Sequence, residues 1–355
     1  MSNYLEINES HIGSGQPVFI IAEMSANHNQ SFDEAVKILF AAKECGADAV
    51  KLQTYTPDTL TIESDSEYFR IKGTIWEGET LYNLYGRAYT PWEWQPKLKK
   101  IADEIGIILF STPFDKTSVD FLETMKVPAY KIASFELVDI PLIEYVASTG
   151  KPMIMSTGMA SVAEIEDAVS AARNAGARDI ALLKCTSGYP ALPEEMNLKT
   201  IPHLAEVFGM PTGLSDHTLG IAVPIAAIAL GACIIEKHIT LSRAVHGPDS
   251  AFSLEPQEFR AMVEAIRIVE KALGTVNYII TAEEEKSKVF RRSLFVVKDM
   301  KAGEAFTQEN IRSIRPGYGL SPKHYKALLG MKAAKDIKKG TPTSWDLVRR
   351  DEAKA

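Results

Sequence analysis

Two histidines, His217 in GLSDHT and His238 in EKHIT, each close a short apolar run, and Glu236 precedes the second by two residues. Imidazoles at the ends of adjacent parallel strands can converge on one divalent ion. Residues two apart on a strand share a face, so Glu236 can act as a third ligand, a base, or a group orienting a bound water. The plainer alternative is two neutral histidines hydrogen-bonded within the rim. The Ser-Asp-His and Glu-Lys-His contexts favour metal, and two nitrogens completed by oxygens suit a Mn²⁺- or Mg²⁺-like ion better than a structural zinc. Lys51, Lys131 and Lys184 close three further runs. Three ammonium groups around one cavity would hold a phosphorylated anion, with Thr112, Ser134, Thr186 and Ser187 completing the oxygen shell. Lys131 or Lys184 could instead form a Schiff base with a carbonyl substrate. Cys185, between Lys184 and Thr186, is expected to point away from the cavity and pack.

The elements that must position these groups alternate along the chain. β-rich apolar runs fall at 18–25, 49–54, 107–114, 129–134, 152–158, 180–187, 211–217 and 233–239. Helical patterns separate them, several ending in glycine just before the next strand, a common helix stop. Eight such units predict parallel pairing and closure into a (β/α)₈ TIM barrel. An open doubly wound sheet is the alternative, but no GxGxxG follows the first strand. In a TIM barrel, catalytic groups collect at the C-terminal strand ends. Here those ends carry Glu23, Lys51, Gln53, Thr112, Lys131, Ser134, Glu136, Ser156, Lys184, Thr186, Ser187, Tyr189, Ser215, His217, Glu236 and His238. So many ionisable groups at one rim need partners or a function. Residues 4–13 read as a hairpin under the barrel. The insertion at 55–92 is long and aromatic, and long βα loops shape pockets; packing within the loop is the other reading of Trp76, Tyr89 and Trp92. Composition shifts near 281, giving the expected division: a barrel over 1–280, a charged linker over 281–289, and a small mostly-β module over 290–355. Within that module KDMKAGEAFT and KDIKKGTPTS are similar phrases.

The formal net charge of −7 argues against a nucleic-acid surface. Three widely spaced cysteines, without a CxxC pair, indicate neither a disulfide framework nor a zinc cluster and suit a reducing cytoplasm. The polar N-terminus does not read as a signal peptide. The longest apolar stretch, 221–235, contains Pro224 and two glycines and is too short to span a membrane.

Together the motifs IAEMSANHNQ, KLQT, STPFD, KIAS-E, STGMA, KCTSGYP, GLSDHT and EKHIT, with Pro248-Asp249, resemble the sialic acid (nonulosonic acid) synthase family. RRSL at 291–294 and RPGYG at 315–319 look like that family's antifreeze-like (SAF) domain. The resemblance covers essentially the whole chain. It implies condensation of phosphoenolpyruvate with an open-chain acetamido sugar and water, releasing phosphate. It assigns Lys51, Thr112, Lys131, Ser134, Thr186, Ser187 and Ser215 to phosphoenolpyruvate, and His217 and His238 to a divalent ion. Glu23 would contact substrate or orient a water, Gln53 and Tyr189 would contact the sugar, and Glu136 and Asp249 would serve as polar pocket or proton-transfer groups. Arg315 would reach the sugar's acetamido group from a second subunit, implying a domain-swapped homodimer. Ser25-Ala26, where N-acetylneuraminate and legionaminate branches usually carry Gly-Val, and AYTPWEWQ at 88–95 resemble the pseudaminate branch, which takes a dideoxygenated diacetamido sugar. Three alternatives stay open: another member of the family, a Schiff-base class I aldolase, and a non-enzymatic carbohydrate- or ice-binding protein suggested by the tail alone.

Overall fold

The computed structural model describes residues 4–349, so residues 1–3 and 350–355, at the outer ends of the two expected domains, lie outside the described residues. The chain divides into two compact units, Met1–Gly274 and Thr275–Ala355.

The first unit opens with a hairpin, β1 (Tyr4–Ile7) and β2 (Ser10–Gly13). Its Leu5, Ile7 and Ile12 join the same buried cluster as barrel residues. Eight strands follow: β3 (Phe19–Glu23), β4 (Ala49–Thr54), β5 (Ile108–Pro113), β6 (Tyr130–Ile132), β7 (Met153–Ser156), β8 (Ile180–Cys185), β9 (Thr212–Asp216) and β10 (Ile234–His238). All pair in parallel and β10 returns to β3, closing the barrel. Each run expected from the sequence contains one of these strands, and the closed ring excludes the open sheet. The strands are buried on both faces, as parallel sheets under helices are.

Helices α1 (Phe32–Glu44), α2 (Pro57–Leu60), α3 (Leu81–Ala88), α4 (Gln95–Ile105), α5 (Lys116–Thr124), α6 (Ile140–Ser148), α7 (Val162–Asn174), α8 (Thr200–Phe208), α9 (Ala222–Ala229) and α10 (Pro256–Leu273) connect or flank them. Their boundaries follow local chemistry. Ser161 and Glu164 form a reciprocal capping box at the start of α7, and Gly106 ends α4 at φ 71°. No helix among the described residues is long and apolar enough to cross a membrane.

In the second unit a helix runs Ala282–Ser287, capped by Thr281 and Glu284, ahead of an antiparallel pair, β11 (Ser293–Val296) and β12 (Ile311–Ile314). The two similar phrases face each other: Met300 and Ile337 exchange backbone hydrogen bonds. Asp299 accepts from the Lys339 backbone and the Lys338 ammonium, and Asp336 accepts from the Ala302 backbone and the Lys301 ammonium. The repeat therefore specifies a reciprocal pairing of two short loops.

One glycine limits the barrel's closure beside the site. A Cβ on Gly213 of β9 would lie 2.3 Å from the Ile234 carbonyl oxygen of β10 and 2.8 Å from Leu183 Cδ2 of β8. Gly213→Ala is therefore expected to destabilise the barrel by at least about 2 kcal/mol, measured as a lower midpoint in denaturant; an unchanged midpoint would show that the strands can separate freely.

Candidate active site

Barrel register brings the ionisable groups together. Cα pairing places His238 of β10 beside Glu23 of β3, and Glu23 beside Lys51 of β4. Glu236 lies beside Ser215 of β9. Period-two alternation then sends these side chains into one cavity of about 370 Å³ at the C-terminal end of the barrel.

The floor is charged. Lys51 Nζ is 2.6 Å from Glu23 Oε2 and 3.5 Å from Glu236 Oε1, and it donates to Thr112 Oγ1. Lys131 Nζ donates to Ser156 Oγ at 2.6 Å and lies 3.9 Å from Glu236 Oε1, which also accepts from Ser215 Oγ. Burial opposes charge on all four groups, and their mutual attraction resists it. The two lysines hold Glu236 below the usual carboxylate range. Burial lowers Lys131, while burial and the nearby Glu236 raise Glu23 against the pull of Lys51. Glu136 stands apart: burial pushes its carboxyl up to about 7, and its Oε2 is buried without a partner.

His217 and His238 have ring centroids 5.3 Å apart. His217 Nδ1 faces the Thr186 carbonyl at 3.0 Å, so in the neutral ring that nitrogen carries the proton and Nε2 keeps the lone pair. Burial opposes charging His217, but Cys185 and the Thr186 carbonyl shift its net affinity for protons upward. His238 Nδ1 is buried without a hydrogen-bond partner, and burial with His217 nearby holds the ring well below the usual imidazole range. A tautomer fixed by a carbonyl and an orphaned ring nitrogen beside it fit a two-imidazole divalent site. Among the described residues, no cluster of three or more His, Cys, Asp or Glu groups forms a cage, and Glu236 Oε1 is turned to the lysines. Beneath the pair, Lys237 donates to Asp216 and to the Thr218 carbonyl, both side chains of the ion pair being fully buried. This tie locks β9 to β10 beside the two rings.

The cavity also contains Gln53, Ser134, Glu136, Tyr189, Ser215 and Asp249. Tyr189 packs on Trp76 and His217. Several expected groups lie elsewhere. Lys184 does not line the cavity; its Nζ donates to the Cys185 carbonyl and to Thr186 Oγ1. Cys185 does line it, with Sγ 3.9 Å from His217 Nδ1. Adjacent strand residues point opposite ways, and a strand buried on both faces gives no polarity signal to tell them apart. Thr112 sits behind Lys51, and Thr186 serves through its carbonyl. Ser187 Oγ is buried and unpartnered, and the space against Gly158 is shared by the Ser187 and Ser134 hydroxyls. Arg315 belongs to the second unit.

One wall comes from the insertion that was expected to shape the pocket; its aliphatic members were not singled out from the sequence. The insertion contributes Tyr55, Leu60, Ile71, Trp76, Leu81, Leu84, Tyr85 and Ala88, joined by Phe114. Of the three aromatics singled out earlier, only Trp76 lines the cavity; Trp92 stacks on Phe121, 4.7 Å between centroids, and Tyr89 offers its carbonyl to Gln30. The apolar positions of α3, facing inward at Leu81, Leu84 and Ala88, were the available signal. The insertion is pinned to the loop after β3. Gln30 N donates to His28 Nδ1, so His28 Nε2–H donates to Thr90 Oγ1, while Gln30 Nε2 donates to the Arg87 and Tyr89 carbonyls. Burial lowers His28 to about 4, keeping the ring neutral in this role.

The model of the NeuB family matches residues 38–278, and that of the SAF domain matches 291–349. The chain belongs to the NeuB family. It is 48% identical to the pseudaminic acid synthase of Helicobacter pylori, an alignment covering 94% of this chain and 99% of that one. The N,N'-diacetyllegionaminic acid synthase of Legionella pneumophila is 36% identical over 94% of this chain and 95% of its own. Among solved structures, the N-acetylneuraminic acid synthetase of Leptospira borgpetersenii superposes with a TM-score of 0.71 at 34% identity, covering 81% of this chain and 95% of that chain. A 3-deoxy-D-arabino-heptulosonate 7-phosphate synthase of Thermotoga maritima shares the fold, with a TM-score of 0.58 at 16% identity.

Glu136 gives a pH test. Its folded pKa lies above the ordinary value of 4.5, so its contribution to stability is complete below about pH 4.5 and disappears as pH rises through about 7. Glu136→Gln is expected to gain stability relative to the parent across that window, seen as converging or crossing melting temperatures, and to remove any limb near pH 7 from the kcat/KM profile. Parallel melting curves would place the carboxyl in water.

Proposed function

We propose that the protein is a pseudaminic acid synthase, condensing phosphoenolpyruvate with 2,4-diacetamido-2,4,6-trideoxy-L-altrose and water to give pseudaminic acid and phosphate. The observation that carries this reading is the two-sided cavity: a floor of buried lysines, carboxylates and paired imidazoles beneath an apolar wall from the insertion. The floor suits a small multivalent anion and an aldehyde; the wall suits a sugar with a methyl in place of its terminal hydroxymethyl and acetamido groups in place of two hydroxyls. The 48% identity to pseudaminic acid synthases over nearly the whole chain supports the same choice.

On this reading Lys51 and Lys131 exchange part of their internal pairing for the substrate's carboxylate and phosphate oxygens. Ser134, Ser187 and Ser215 add hydroxyl donors, with Thr112 supporting Lys51. His217 and His238 would hold a divalent ion, Mn²⁺ or Mg²⁺, which when bound supplies Lewis-acid polarisation of the sugar aldehyde. The enol carbon of phosphoenolpyruvate attacks the aldehyde carbon, leaving positive charge at the carbon that bears the phosphate ester. Glu23, in the cavity beside Lys51, stabilises that charge and orients the water that adds there; phosphate then departs. Glu136, poised near neutrality, exchanges the proton with the new sugar hydroxyl, and Gln53, Tyr189 and Asp249 hold the sugar.

The proposal includes a homodimer in which a second copy supplies Arg315 to the acetamido group, the barrel being bounded at residue 280 and the SAF domain starting at 290. Three buried free thiols, Cys45, Cys185 and Cys233, suit a cytoplasmic location for it.

Mass analysis of products formed from phosphoenolpyruvate with the diacetamido altrose, its legionaminate-type counterpart, or N-acetylmannosamine tests the reading. Turnover is expected with the first; turnover with only N-acetylmannosamine would reassign the substrate. Chelation is expected to abolish turnover and Mn²⁺ to restore it, whereas full activity after chelation would remove the metal from the reading. Arg315→Ala is expected to raise the KM for sugar about tenfold, the scale of a charged hydrogen bond, with the KM for phosphoenolpyruvate unchanged.

A further inference from the structure

Ser25, in the loop after β3, has an unusual backbone. It is 5% exposed and sits at φ 45°, a left-handed conformation that glycine takes freely and side chains resist. A serine there indicates that the position supplies a hydroxyl, because backbone freedom alone would be met better by glycine. That hydroxyl has one proton, and its destination is clear. Ser25 Oγ donates to Asp249 Oδ2 and accepts from Gln53 Nε2 at 2.9 Å. The Ala26 backbone adds a longer bond to the same Asp249 oxygen.

The three groups come from three parts of the barrel rim. Gln53 lies on β4, Ser25 after β3, and Asp249 in the loop after β10, and all three line the cavity. Gln53 Nε2 is occupied twice, by Ser25 Oγ and by Glu23 Oε1 at 3.0 Å. Its amide orientation is therefore fixed, leaving Oε1 as the remaining polar atom. Asp249 likewise retains Oδ1. The Asp249 loop is held from behind as well. Ser253 Oγ donates to the Asp249 carbonyl, Asn27 Nδ2 donates to Ser253 Oγ, and a Cβ on Gly247 would come within 2.3 Å of Asn29 Oδ1.

We infer that Ser25 is a positioning residue for sugar recognition, its strained hydroxyl aiming the acceptor oxygens of Gln53 and Asp249 at hydroxyl and amide N–H donors of the sugar. This rests on the proposed synthase reading and deepens it. Among the described residues Ser25 reaches the lysine floor that suits phosphoenolpyruvate only through Gln53 and Glu23, so its loss should act on sugar binding and leave phosphoenolpyruvate binding in place. The two simplest variants also separate. Ser25→Ala loses the hydroxyl and keeps the backbone strain; Ser25→Gly loses the hydroxyl and releases it.

Steady-state kinetics and melting of the full chain test this with Ser25→Ala, Ser25→Gly, Asp249→Asn and the double variant Ser25→Ala/Asp249→Asn. Both Ser25 variants are expected to raise the sugar KM about tenfold, the loss of one hydrogen bond to a charged group, with the phosphoenolpyruvate KM unchanged. The double variant should be no worse than Asp249→Asn, and Ser25→Gly should melt above Ser25→Ala. An unchanged sugar KM, an equal rise in both KM values, or additive effects in the double variant would overturn the inference. If the parent enzyme turns over none of the diacetamido sugar, the functional reading fails separately. The melting-temperature cycle of Ser25→Ala with Asp249→Asn then decides: coupling keeps the Ser25–Asp249 link, and additivity removes it.

Discussion

Glu23, Lys51, Lys131 and Glu236 are each at most 4% exposed at one end of the barrel. A single buried charge is strongly unfavourable, and a buried pair is worth keeping only with good geometry and satisfied hydrogen bonds. Here two anions and two cations alternate in a chain, Glu23–Lys51–Glu236–Lys131, so their charges offset one another. This constraint governs the surroundings. Ser156, Thr112 and Ser215 are present as hydroxyl partners for it, and β3, β4, β6 and β10 must meet in one register to bring it together.

A second layer fixes the strands behind that floor. The Lys237–Asp216 pair lies on the opposite faces of β9 and β10 from His217 and His238 and is completely enclosed. Removing either member would leave an uncompensated buried charge. The pair consequently fixes the relative position of the two backbones from which the imidazoles project. The Thr186 carbonyl performs a similar service for one ring by fixing its tautomer.

The apolar wall is attached to this rigid base by a small set of polar contacts. The loop after β3 carries Ser25 toward the cavity and His28 and Gln30 toward the insertion, so one short stretch, residues 25–30, touches both the polar and the apolar side of the pocket. Its neutral, buried His28 is a structural group that ties the loop to the insertion. A change in this loop would therefore be felt at Gln53, Asp249 and the insertion together.

The sequence alone determined the architecture and most of the floor. Eight apolar runs separated by helical periodicity leave little choice but a closed parallel barrel, and strand ends rich in Glu, Lys, Ser and His mark its working face. Gln53, Glu136, Tyr189, Ser215 and Asp249 were legible because motifs and strand ends place them. The tertiary structure decided three other things. It sent Cys185 inward and Lys184 outward, since a strand buried on both faces carries no polarity pattern by which to choose. It replaced the expectation of three lysines around one cavity with two, Lys51 and Lys131, each beside a carboxylate, since pairing across strands depends on register, which no single segment encodes. It also built the insertion's wall from Leu60, Ile71, Leu81 and Leu84 together with Tyr55, Trp76 and Tyr85, leaving Tyr89 and Trp92 outside, because an aromatic residue in a long loop is equally at home in packing. Local spacing fixes which face a residue can occupy; only closure of the barrel determines what stands opposite it.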